Sequence, residues 1–153
     1  MRSLENTLAL WVSGFLSSED VVAWAGKEVA RLREPPMELL DLLTDGPKAC
    51  LKREQIDFPP RARLLSYIEA FSIKALTLDV ESDESVWEFA DWAARSSIGQ
   101  DLSDPLVQLG HEVDQYFEEP QDRNGGTTVI RQALPSLIDR CKLIAAPYAE
   151  TEA

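Results

Sequence analysis

The sequence predicts an all-α fold, a single compact domain over residues 1–153 built from six to eight amphipathic helices. Three observations carry this. Apolar residues recur at steps of three and four almost throughout. Serine, aspartate or proline stands where most of the apolar stripes begin. No segment alternates cleanly enough to be a strand; "TTVI" at 127–130 comes nearest and runs on into helical spacing.

The elements follow in order. Residues 3–16 form a first amphipathic helix with Leu4, Leu8, Trp11 and Phe15 on one side. In "SSEDVVAWAGKEVARLRE", Ser17 or Ser18 caps a second helix, and Glu19 and Asp20 suit the positive end of its dipole. Val22, Ala25, Val29 and Leu32 give its stripe, and Pro35 stops it. Pro36 opens a short helix, "PMELLDLLT", that ends near "DGP". Residues 47–58 read equally as short helix or loop. "PPRARLLSYIEAFSIKALTL" is the clearest helix, with Leu64, Ile68, Phe71, Ala75 and Leu78 on a stripe widened by Leu65 and Leu76.

Ser82 caps the next helix, with Asp83 and Glu84 in its first turn and Val86, Phe89, Ala90 and Ala93 as its buried face. Asp104 caps another, with Pro105 first and a stripe of Leu106, Leu109, Val113 and Tyr116. "EPQDRNGG" reads as loop, with Gly125 and Gly126 in a turn and Thr127 or Thr128 as a cap. The last helix carries Ile130, Leu134, Leu137, Cys141 and Ile144, and Pro135 within it predicts a kink or two abutting helices. The tail is expected to fray from about 147. "VVAWA" at 21–25 echoes "FADWA" at 89–93, either as a duplicated helical unit or as convergence of amphipathic helices.

Composition supports a folded chain: 44% of residues are hydrophobic, and a domain of this length buries roughly 70% of its unfolded surface. Cys50 and Cys141 form no motif and read as free thiols. The N-terminal stretch lacks the unbroken apolar core of a signal peptide, and no stretch approaches the roughly 20 apolar residues of a membrane span. The expectation is a soluble cytoplasmic protein.

The net charge of −12 is unevenly placed: residues 1–77 sum to −1 and residues 78–153 to −11. Asp79–Asp122 holds 13 carboxylates and a single cation, Arg95. Such a field repels nucleic acid and anionic membranes and attracts basic partners.

Catalytic and metal-binding motifs are lacking. His111 is the only histidine, and no cysteine stands at ligand spacing from it. "DVESDES" alternates Asp79, Glu81, Asp83 and Ser85 like a calcium loop, but its sixth position is Glu84 and its twelfth Ala90, where glycine and glutamate are required. "NGGTTV" lacks the lysine of a phosphate-binding loop. The reading therefore assigns no catalytic residue, metal or cofactor. The small basic group of Lys48, Lys52, Arg53, Arg61 and Arg63, interrupted by Glu54 and Asp57, reads as a solvated face or an internal salt-bridge partner of the acidic region.

A binding surface is the better expectation. Glu84, Glu88 and Asp91 form one stripe away from the apolar face, beside Asp83, with Trp87 and Trp92 on its two flanks. Like charges four residues apart cost an isolated helix roughly 0.2–0.5 kcal/mol per pair, so helix stability does not account for them. Trp87 reads equally as an interface anchor or a core-edge residue. Glu112, Glu118 and Glu119 extend the acidic surface.

The segment "LALWVSGFLSSEDVVAWAGKEV" resembles the opening of small helical bacterial toxin-immunity proteins through Trp11, Gly14, Leu16, Ser17, Asp20 and Trp24. "PMELLDLL" and "HEVDQYFEE" look similar to later parts of such proteins. The resemblance implies a non-enzymatic antidote that binds a basic cognate toxin domain and masks it. The alternative is a helical interaction or regulatory module, monomeric or homodimeric.

Overall fold

The computed structural model describes residues 2–53 and 62–150, and among these every regular element is helical. The order is α1 (Leu4–Val12), α2 (Ser18–Arg31), α3 (Met37–Asp45), α4 (Pro47–Lys52), α5 (Tyr67–Thr77), α6 (Asp83–Ser96), α7 (Pro105–Asp114) and α8 (Arg123–Ala145), with short 3-10 turns at Gln115–Phe117 and Ala146–Tyr148. The chain divides into two compact units, Met1–Leu65 with Pro147–Ala153, and Ser66–Ala146.

In the first unit the cap chemistry sets the helix starts. Ser17 accepts the Asp20 N–H while the Asp20 carboxylate accepts the Ser17 N–H at 2.9 Å, a reciprocal capping box. These bonds favour the charged carboxylate and hold Asp20 below its ordinary pKa. α1 stops at Val12 rather than near residue 16, because the chain turns through Gly14 at φ +86°, where a side chain would be strained. α2 buries Val21, Trp24 and Ala25 against Leu8, Leu39, Leu42 and Cys50. Its inward face is thus turned slightly from the expected Val22 stripe, since Val22 is only partly buried.

Pro36 caps α3 rather than opening it, and Pro47 begins α4, which resolves the first part of the ambiguous stretch as helix. Residues 54–58 lie outside the described residues. Arg53 pairs with Asp41 and Asp45 of α3, acids outside the 79–122 region. Arg61 lies outside the described residues.

Residues 147–150 are tied down rather than frayed. The Pro147 carbonyl accepts from Asn6 Nδ2 at 3.2 Å, Tyr148 is buried, and Glu150 pairs with Lys27. Buried Arg2 donates from Nε to Thr7 Oγ1 and lies over Trp24; burial lowers its pKa, and the nearby acids, Glu150 first, oppose that shift.

The second unit packs α5 and α6 on α8, and α7 on α6 and α8. Its core is Tyr67, Phe71, Ala75, Val86, Phe89, Ala90, Ala93, Leu106, Leu109, Val113, Ile130, Leu134 and Cys141, with smaller neighbours. The expected face of α6 is therefore buried, and on α8 Ile130, Leu134 and Cys141 are buried while Leu137 and Ile144 are partly so.

Several expectations are corrected in this unit. α5 begins at Tyr67, because Ser66 and Glu69 form a capping box, and Leu64 stands outside the helix at 71% exposure. Leu76 is likewise exposed on α5. Tyr116 belongs to the 3-10 turn rather than to α7.

The start of α8 also moves. Asp122 caps it by accepting the Gly125 N–H at 2.9 Å, so Gly125 and Gly126 lie in its first turn and Thr127 is not a cap. The glycines are needed for space: a Cβ on Gly125 would stand 2.6 Å from Tyr116 Cε1, and one on Gly126 2.7 Å from Trp87 Cζ3. Pro135 sits inside one continuous helix, not between two.

Candidate functional site

The acidic surface is organised by α6. Ser82 caps this helix by accepting the Ser85 N–H, and Val86, Phe89, Ala90, Ala93 and Ala94 turn into the core. At 100° per residue this leaves Glu84, Glu88, Asp91 and Arg95 along the opposite side. Glu84 and Glu88 are exposed, and no ion pair reaches either among the described residues. Asp91 is half-buried and accepts from Arg95 at 2.7 Å. Asp83 is exposed and pairs with Arg131 of α8 at 2.6 Å. The four acids on α6 thus differ: the outer two are neutralised by neighbours, and the middle two are not.

The two tryptophans sit on the shoulders of the stripe with different partners. Trp87 is half-buried, stacked on Phe117 at 4.0 Å and 19°, with Arg123 5.9 Å from its ring. One ring edge fills the space above Gly126. Trp87 is therefore a packed residue at the core edge, with much of its ring already engaged.

Trp92 stacks on Tyr67 at 5.3 Å and 5°, and Lys74 lies 5.1 Å from its ring. The Tyr67 hydroxyl donates to the Leu106 carbonyl at 2.9 Å. Burial pushes the Tyr67 phenol well above its ordinary pKa.

The Trp87–Phe117 stack holds the 3-10 turn against α6, so exposed Glu118 and Glu119 follow directly after a residue that touches that helix. Glu112 is exposed on α7, and neither a hydrogen bond nor an ion pair links it to α6 among the described residues. The eight residues expected at the surface therefore form an α6 stripe with Glu118 and Glu119 near its Trp87 shoulder, and a separate Glu112.

A polar cleft of about 280 Å³ opens on the other shoulder, lined by Lys74, Thr77, Leu78, Asp79, Ser85, Glu88, Phe89 and Trp92. Sequence reasoning missed it, because it joins α5, the α5–α6 turn and α6. Its only sequence signal was Trp92 on the flank of the stripe. The cleft presents carboxylates at Asp79 and Glu88, while its indole ring is already engaged by Lys74 and by Tyr67.

The remaining candidate chemistry is placed as follows. His111 is exposed on α7. Cys50 and Cys141 are buried free thiols, and burial raises both pKa values, away from the thiolate that nucleophilic chemistry uses. Among the described residues, no group of three or more His, Cys, Asp or Glu is placed to hold a metal ion, and no helix is long and apolar enough to cross a membrane. Ser66–Ala146 holds 15 carboxylates and six cations, a net of −9 against −3 for the rest of the chain. Comparison with protein families, curated proteins and solved structures finds no match to this chain.

Proposed function

We propose that this protein is a non-enzymatic binding protein that engages a basic protein partner through the acidic side of α6. On the resemblance of its N-terminal sequence to immunity proteins, the partner is a toxin domain that it neutralises. The observation that carries the reading is the exposed pair Glu84 and Glu88, without ion pairs among the described residues, in the unit that holds most of the net charge. Asp79 and Glu88 line the neighbouring cleft together with Lys74, so two carboxylates face one cation there and the cleft adds to the negative surface. A negative surface of this kind accelerates encounter with a positive one and makes association salt-sensitive.

The test is association kinetics with the basic C-terminal domain of a secreted protein encoded beside this one. The triple reversal Glu84→Lys, Glu88→Lys, Asp91→Lys should slow association at least about tenfold at low salt and converge on wild type at high salt. An unchanged association rate at low salt would remove α6 from the interface.

A further inference from the structure

A second recess in Ser66–Ala146 differs in chemistry from the polar cleft. It is a groove of about 490 Å³ lined by Ala75, Val80, Glu81, Arg131, Leu134, Pro135 and Ile138. Its walls are mainly apolar, and Val80 stands 45% exposed at its edge.

The polar groups around it select what can enter. The Arg131 guanidinium is already committed, donating from Nε to the Val80 carbonyl at 2.9 Å and pairing with Asp83 at 2.6 Å. It is therefore poorly placed to receive an anion. Glu81 is exposed and makes no ion pair among the described residues. Pro135 has no N–H, so the Arg131 carbonyl four residues earlier lacks its helical donor. Apolar walls bordered by a carboxylate and an acceptor suit an apolar group flanked by donors and positive charge. They disfavour a fatty acid or another anionic amphiphile.

The α5–α6 turn separates this groove from the polar cleft: Asp79 lines the cleft, while Val80 and Glu81 line the groove. We infer that the groove receives a large apolar side chain from a lysine- or arginine-flanked segment of the partner, with a neighbouring cation of that segment held by Glu81. This rests on the binding reading above and moves the apolar anchor of the interface from Trp87 to the groove.

The test uses the full chain and two amidated peptides, Lys-Lys-Leu-Lys-Lys and Lys-Lys-Ala-Lys-Lys, titrated at low salt while methyl resonances are followed by NMR. The leucine peptide should shift the methyls of Val80, Leu134 and Ile138 and bind about tenfold tighter than the alanine peptide, from the extra buried hydrocarbon. Val80→Asn, at an exposed site and without a charge change, should cut that preference below about threefold. Glu84→Lys with Glu88→Lys should weaken both peptides and keep their ratio.

Equal binding of the two peptides, with groove methyls unmoved, would overturn the groove inference and leave the acidic-surface reading standing. Equal or tighter groove binding by Glu-Glu-Leu-Glu-Glu or by decanoate would overturn the choice of occupant. Absence of binding by either lysine peptide would overturn the groove inference and weaken the surface reading with it.

Discussion

Gly110 provides a direct test of how α6 is held. It is buried in α7, and a Cβ built there would stand 2.6 Å from Ser97 Cβ and 2.7 Å from the Ala93 carbonyl oxygen. Ordinary carbon–carbon contact lies near 3.5–4.0 Å, so the shortfall against Ser97 is about 1 Å. Neither neighbour can yield by rotating: one is backbone, and the other is a Cβ fixed to the fully buried C-cap residue of α6.

Gly110→Ala should therefore push α7 away from α6, at an overpacking cost of about 1–3 kcal/mol. Higher helix propensity and a less flexible unfolded chain return about 0.5–1 kcal/mol. The net is a loss centred on about 1.3 kcal/mol, a fall in Tm of about 2–5 °C for a chain of this size. Urea unfolding followed by far-ultraviolet circular dichroism measures it. The double variant Ser97→Gly, Gly110→Ala should recover at least about 0.5 kcal/mol relative to additivity. Stability equal to or above wild type for Gly110→Ala would refute the reasoning, since propensity alone predicts that sign.

Gly26, in the middle of α2, should behave oppositely. Its Cβ would meet only Leu43 Cδ1 at 3.4 Å, and Leu43 is 39% exposed and able to shift. Gly26→Ala should raise stability by about 0.5–1 kcal/mol in the same urea assay. Tyr67 sets an alkaline limit. Unfolded it ionises near pH 10, and burial lifts the folded value, so its contribution is complete below pH 10 and is lost as pH rises beyond it. Tyr67→Phe should cost about 0.5–1.5 kcal/mol at neutral pH through the lost bond to Leu106 and flatten the decline above pH 10, as thermal melts across that range would show.

The helices were legible where local chemistry and burial agree. Ser17, Ser82 and Asp104 cap helices in the structure, and Val86, Phe89, Ala90 and Ala93 are buried as their spacing implied. The start of α5 was misplaced because apolar spacing runs back through Leu64, although Ser66 and Glu69 carried a capping-box signal three residues apart. The start of α8 was harder to see. Paired glycines favour turns, and only the packing of Tyr116 and Trp87 explains why they lie inside a helix. The two recesses were illegible for a similar reason, since each joins side chains of different elements around the α5–α6 turn. Both readings of the echo of 21–25 in 89–93, duplication and convergence, fit the helices that carry it. Val21 and Ala25, like Phe89 and Ala93, are buried in helices of 14 residues, and each helix packs against the one that follows.

The acids of Ser66–Ala146 fall into two groups by what they do for the fold. Asp104 and Asp122 cap helices, and Asp104 also binds Arg140. Asp83 and Asp91 pair with arginines, and Asp101 accepts from Ser103, which holds its pKa low. Each of these carboxylates satisfies a donor or a cation that the fold itself presents. Glu84 and Glu88 do neither, and their spacing along α6 places like charges four residues apart, a small cost of roughly 0.2–0.5 kcal/mol. At Glu84, in the first turn, the helix dipole offsets that cost, whereas Glu88 lies one turn further on, beyond its reach. Three of the cations of α6 and α8, Arg95, Arg131 and Arg140, are taken by the structural acids. A surface left negative after the internal pairs are formed is the part of the charge that structure does not explain, and it borders the cleft that holds Glu88, Asp79 and Trp92. That remainder is the part of the acidity that the proposed surface for a basic protein would account for.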